Sequence, residues 1–154
     1  MKDRIIRIRN KQIEDSFPLF RNKKVHLIIM SLPFYACSVW IPPFLRFIVI
    51  SKRTKDLSDN VIEGIMAHEL CHQERYLEMG TLRYLKFAIG FITSRRAKAN
   101  EEKATDRLTI EKGYGRQLFE LSEIQYIDKK HERINEYYLS LEEIRSYSER
   151  IGKW

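Results

Sequence analysis

A chain of 154 residues with 44% hydrophobic and 12% aromatic content can bury one core without crosslinks. Its two cysteines, Cys37 and Cys71, exclude a secreted disulfide framework and favour a reducing, cytoplasmic setting. The formal net charge of +7 raises the question of nucleic acid, but the 28 bases are spread along the chain among 21 acids, and a solvated, mildly basic surface explains them better.

The amino terminus mixes charge with apolar residues and does not read as a secretory signal. Over residues 4–17 the apolar positions Ile5, Ile6, Ile8, Ile13 and Phe17 predict an amphipathic first helix ended by Pro18. Residues 25–30 read as a buried strand and residues 34–41 as a second, stopped where Pro42 and Pro43 remove two amide donors. Residues 47–51 read as a third. The whole stretch 25–50 is apolar enough to suggest a membrane span. Pro33, Pro42 and Pro43 interrupt it, however, and Arg46 would lie in hydrocarbon, so strands are the expectation.

Ser58-Asp59-Asn60 followed by Glu63 predicts a helix start, and that helix runs to about residue 79 with Gly80 as its C-cap. Residues 82–94 read as a further helical arm, too short to span a bilayer and carrying Arg83 and Lys86. Residues 97–112 are strongly helical and end at Gly113; residues 117–127 and 132–151 predict two more amphipathic helices. Helix, small sheet, then helices, with no repeat or low-complexity linker, reads as one α+β domain over residues 1–154.

The chemistry concentrates in His68-Glu69-Leu70-Cys71-His72, an H-E-x-x-H motif. On a helix, positions i and i+4 share a face, so both imidazoles can reach one metal ion. Glu69 projects beside them and can touch a water on that metal, which is the arrangement of a zinc hydrolase. Cys71 should point off the histidine face into the core, as a small apolar residue does. A catalytic zinc needs a third protein ligand and an open position. The remaining histidines, His26 and His131, do not follow the motif at a short spacing. Glu101, Glu102 and Asp106 taken alone would be the solvated face of an ordinary helix. Below the motif, though, Glu102 and Asp106 lie one turn apart, so one can bind metal while the other supports a ligand histidine. Tyr137, Tyr138 and Tyr147 read most simply as packing residues of a terminal helix.

With Glu102-x-x-x-Asp106 downstream, the motif resembles the gluzincin metallopeptidases, the clan of thermolysin. Met66-Ala67-His68-Glu69-Leu70, Thr105-Asp106-Arg107 with Gly113-Tyr114, and Tyr35-Ala36-Cys37-Ser38 before Phe47-Ile48-Val49-Ile50 are similar to the HtpX and CAAX prenyl endopeptidase branch. The resemblance covers about residues 20–120, leaving 121–154 as a helical extension. Members of that branch are typically integral membrane enzymes, whereas this chain shows no credible span, so it resembles the soluble minimal forms called minigluzincins. Tyr35 stands where that branch often has Asn, and Thr105 where a small residue is usual.

The resemblance implies a small zincin-like mixed sheet packed on an active-site helix and a glutamate helix. It implies one zinc per chain held by His68, His72 and Glu102, with Asp106 behind a ligand and Glu69 as general base and acid. The substrate would be a peptide or unfolded protein, paired along the strand at Tyr35, Ala36 and Cys37. Tyr114, Arg116, Tyr126 and His131 are the candidates for a donor to the developing oxyanion. Two other readings stand beside this one: a SprT-like DNA-associated metalloprotease, which takes a third histidine, and a metal-binding scaffold without turnover. An open peptidase cleft endangers its neighbours, so a terminal segment is expected to shield it.

Overall fold

The apolar runs of the first third pair into a three-stranded mixed sheet in the computed structural model, which describes residues 1–128 and 134–154. Strand β1 (Val25–Met30) lies parallel to β3 (Leu45–Ser51), and β2 (Ala36–Ile41) lies antiparallel to it, in the order β1-β3-β2. The alternation predicted for a half-buried strand is plain in β3, where Arg46, Ile48 and Ile50 face the helices. Arg46 is tolerated there because its guanidinium lies 5.3 Å from the ring of Trp40, its register partner on β2. Two strand ends differ from expectation. β2 starts two residues late, at Ala36, although the Tyr35 carbonyl still accepts the Ser51 N–H (2.8 Å). β3 starts two residues early, because Ile41 pairs with Leu45 across the proline turn.

Helix α1 (Lys2–Asp15) stops short of Phe17, which is buried from the turn beyond it. Helix α2 (Asp59–Thr93) starts as predicted, with Ser58 Oγ accepting the Val61 N–H. Gly80 takes the left-handed φ of 69° that a C-cap uses, yet the chain re-enters helix at once, so the motif helix and the arm form one kinked element. Helices α3 (Arg95–Glu111) and α4 (Gly115–Asp128) follow. The single helix expected over 132–151 is instead divided into α5 (Ile134–Tyr137) and α6 (Leu141–Arg150). Ser140 starts the second with a capping box, its Oγ accepting the Glu143 N–H while Glu143 accepts the Ser140 N–H.

The first half of α2 is buried almost all round, with the sheet on one side and α1, α3 and α4 on the others. Polar side chains fix its position as much as apolar ones do. The Gln73 amide donates to the carbonyls of Val39 and Phe47 at 3.1 Å each, and Ser38 Oγ donates to the Glu69 carbonyl at 2.7 Å. At Gly64 the helix passes so close to α4 that a Cβ would stand 2.5 Å from the Gln117 carbonyl oxygen. Among the described residues, no helix is long and apolar enough to cross a membrane.

Candidate metal centre

The rigid first half of α2 projects His68 and His72 toward α3, where both Nε2 atoms meet one oxygen, Glu102 Oε2, at 3.2 and 3.3 Å. All three side chains are buried. One ligand atom from each lies within 4.8 Å of the other two, close enough to hold a single metal ion. Zinc bonds of about 2.0–2.2 Å at tetrahedral angles put neighbouring donor atoms about 3.3 Å apart. A charge-assisted hydrogen bond would be shorter, about 2.7–2.9 Å. The spacing therefore fits a metal shell better than a histidine–carboxylate bond.

The other ring nitrogens face carboxylates. His68 Nδ1 lies 3.0 Å from Asp106 Oδ1, and the second oxygen of Asp106 accepts the Leu139 N–H at 2.9 Å. His72 Nδ1 lies 3.2 Å from Thr105 Oγ1 and 3.5 Å from Glu101 Oε1. Glu101 is held in turn by a two-pronged contact from Arg75 at 2.9 and 2.8 Å. Each imidazole is thus oriented from behind, and that fixes its tautomer with Nε2 free for a metal. Such support is how ligand histidines are held in metal sites, and the residues fit the group.

These contacts set the protonation chemistry. Burial alone would lower the pKa of both histidines, but the facing carboxylates win. His72 rises to about 9 through Glu101 and Glu102. His68 rises through Asp106 and Glu102. Burial would raise Glu102, and the two histidines instead hold it well below the usual carboxylate range. Glu69 moves the other way: burial raises its pKa against the opposing pull of His72 and His68. Among the described residues its Oε2 is buried without a partner, as are His68 Nδ1 and Asp106 Oδ1 in strict hydrogen-bond geometry. A buried carboxylate oxygen with nothing to accept from fits a place for a reacting water.

A cavity of about 200 Å³ opens onto His68, Glu69 and Asp106, and does not reach His72 or Glu102. Tyr35 and Ala36, at the start of β2, form part of its wall, while Cys37 lies outside the lining, half-buried. The Tyr35 hydroxyl donates to Asp128, and Arg53 reaches the same carboxylate at 3.0 Å, which ties this wall to the end of α4. Burial, then Asp128, pushes the Tyr35 phenol up to about 12. Known protein families, curated proteins and solved structures contain no match to this chain. The chemistry has to be read from the geometry.

Of the expected oxyanion donors, Tyr114, Arg116 and Tyr126 are not brought to this cavity. The Tyr114 hydroxyl is paired with Ser16 and its ring packs against Phe17. Arg116 lies against Trp154, its guanidinium 5.8 Å from the ring, at the opposite surface of α4. Tyr126 is absent from the cavity lining, and His131 falls outside the described residues. Tyr138 lies there instead. It lines the cavity, its ring centroid is 6.1 Å from that of His68, and burial with Glu102, Asp106 and Glu69 nearby holds its phenol well above the ordinary pKa. Read as a packing residue, it carries no sequence signal of this position, which depends on the break before Ser140. Cys71 is fully buried in the core, and His26 packs against Phe47 on the sheet.

Proposed function

We propose that this chain is a zinc-dependent peptidase of the gluzincin type, with His68, His72 and Glu102 as the metal ligands. The observation that carries the reading is the meeting of two buried Nε2 atoms at one carboxylate oxygen, beside a buried Glu69 oxygen without a partner among the described residues. When bound, zinc supplies Lewis acidity that makes water a nucleophile near neutral pH and polarises a carbonyl. Glu69 takes the water proton at Oε2 and returns it to the leaving amine, a role favoured by its raised pKa. Asp106 and the Glu101–Thr105 pair keep the imidazoles aligned through the reaction. Tyr138, kept protonated, donates to the carbonyl oxygen as charge builds on it. Tyr35 and Ala36 meet the substrate backbone at the end of the edge strand.

The cavity favours latency as well. At about 200 Å³ it is smaller than the roughly 300–1,000 Å³ of ordinary ligand pockets. Tyr138 and the bridge from Tyr35 to Asp128 therefore have to move before a peptide or unfolded segment enters. A SprT-like site would need a third histidine, and among the described residues only His26 remains, away from the centre.

Metal content and peptide hydrolysis, measured on the purified chain and on Glu102→Ala and Glu69→Gln, test the reading. One zinc per chain is expected, lost in the first variant and kept without turnover in the second. Zinc kept in Glu102→Ala would remove the ligand assignment. Hydrolysis kept in Glu69→Gln would remove the mechanism, and zinc without hydrolysis by the unaltered chain or by Asp128→Ala, which releases the Tyr35 and Arg53 bridge, would leave a scaffold.

A further inference from the structure

We propose that the second half of α2, residues 81–93, is a face that docks on an anionic lipid surface. Leu82, Leu85, Ile89 and Ile92 recur at helical spacing and are 79, 50, 68 and 84% exposed, an apolar stripe turned to solvent. The stripe is not a loose end. The opposite side of the same helix is anchored by Tyr84, whose ring centroid lies 4.8 Å from that of Trp40 and 4.9 Å from that of Tyr76, and by Phe87 at 5.7 Å from Tyr76. The Trp40 contact ties this arm to the β2–β3 hairpin and holds it against the sheet. The same Tyr76 stacks on His72, so the anchored side of the arm is joined through Tyr76 to the candidate metal centre.

Charge selects the occupant. Between Glu78 and Glu101 the chain has no acid, while Arg83, Lys86, Arg95, Arg96 and Lys98 are all basic. Arg83, Lys86, Arg95 and Arg96 are exposed, and no described acid pairs with them. An apolar stripe beside unopposed bases needs a partner that is apolar and anionic at once. A second copy of the chain would bring like charges together, and a nucleic acid offers phosphates but no apolar face. An anionic bilayer offers both, with acyl chains beneath the headgroups. At about 1.5 Å per residue the arm is about 20 Å long, short of the roughly 30 Å hydrocarbon core, so it lies in the interface and does not cross.

The test is co-sedimentation of the full chain with vesicles of phosphatidylglycerol and phosphatidylcholine, beside vesicles of phosphatidylcholine alone. Binding is expected to the mixed vesicles, about tenfold or more weaker to the neutral ones, and falling as salt rises. The double variant L82E/I92E should lose binding by about tenfold or more. The variant R83Q/K86Q/R95Q/R96Q should lose the preference for anionic lipid, and Ile127→Glu, on an exposed site of α4, should change nothing. All the altered side chains are exposed, and an unchanged melting curve checks that each variant folds. No binding to the mixed vesicles would overturn the proposal, as would full binding by folded L82E/I92E. So would a dimer in sedimentation velocity that L82E/I92E dissociates, since the stripe would then join two chains. None of these readouts depends on peptide hydrolysis.

Discussion

Each histidine of the centre divides its two nitrogens between a shared Glu102 oxygen and a carboxylate behind the ring. Removing the rear partner should therefore weaken the metal without dismantling the site. For Asp106→Asn the expected loss is about 10–100-fold in zinc affinity, read by competition with a chromogenic chelator. The amide oxygen can still accept the Leu139 N–H, so the contact to the last helices survives and the melting curve of the metal-free protein should barely move. An unchanged affinity would reduce the Asp106–His68 contact to packing. Glu69→Gln keeps the shape and the Ser38 bond to the Glu69 carbonyl but loses the base, so hydrolysis should fall by about 10²–10⁴-fold at unaltered zinc content. At this scale the sequence was legible where helical period does the placing: His68, Glu69, His72, Glu102 and Asp106 all follow from i, i+1, i+3 and i+4 geometry. Glu101 was not. One residue before Glu102, it should point about 100° away. It is still recruited because His72 presents its two nitrogens to two successive side chains of α3, and Arg75 neutralises the acid. Tyr138 and Ser38 reach the site only through tertiary folding.

Among the elements, α2 carries the site because its neighbours leave it no freedom. One close approach is at Gly64, where an added Cβ would meet the backbone of α4 at Gln117 at 2.5 Å. Backbone cannot yield as a flexible side chain can, so Gly64→Ala should cost about 1–3 kcal/mol in denaturant unfolding. It should also loosen the metal, because α4 supplies the wall of the cavity beside Tyr35. Retention of both stability and affinity would show that α4 simply moves aside. The motif helix and α3 were legible from caps and period, since Ser58 and Gly113 stand where helix ends require them. The division of the last helix was less so. Apolar spacing over 132–151 runs through Ser140, and the Ser-x-x-Glu signature that restarts the helix is outvoted by it. That break is what lets Tyr138 turn onto His68 and Leu139 onto Asp106.

For the whole molecule, an ion held at the candidate centre would link metal, protons and stability. Without metal, His72 has a folded pKa of about 9 against 6.5 when unfolded, and His68 is raised in the same direction. A raised pKa means the folded state binds the proton more tightly. The stabilisation is complete below the unfolded value and is lost as pH rises through the folded one. The melting temperature of the metal-free chain should therefore fall from pH 6.5 to about 9, through the loss of these charged pairs. Glu101 and Glu102, lowered by the same contacts, describe the same energy from the acid side and add nothing in this window. Zinc requires neutral imidazoles, so its affinity should rise over that window as the competing protons leave. The stability gained on adding zinc, read as a rise in melting temperature, should grow with pH, toward about 4 kcal/mol where zinc reaches a thousandfold excess over the dissociation constant. Thermal scans with zinc and with chelator across this range separate the two curves. They diverge if the histidines and Glu102 share one ion, and parallel curves would place the metal elsewhere.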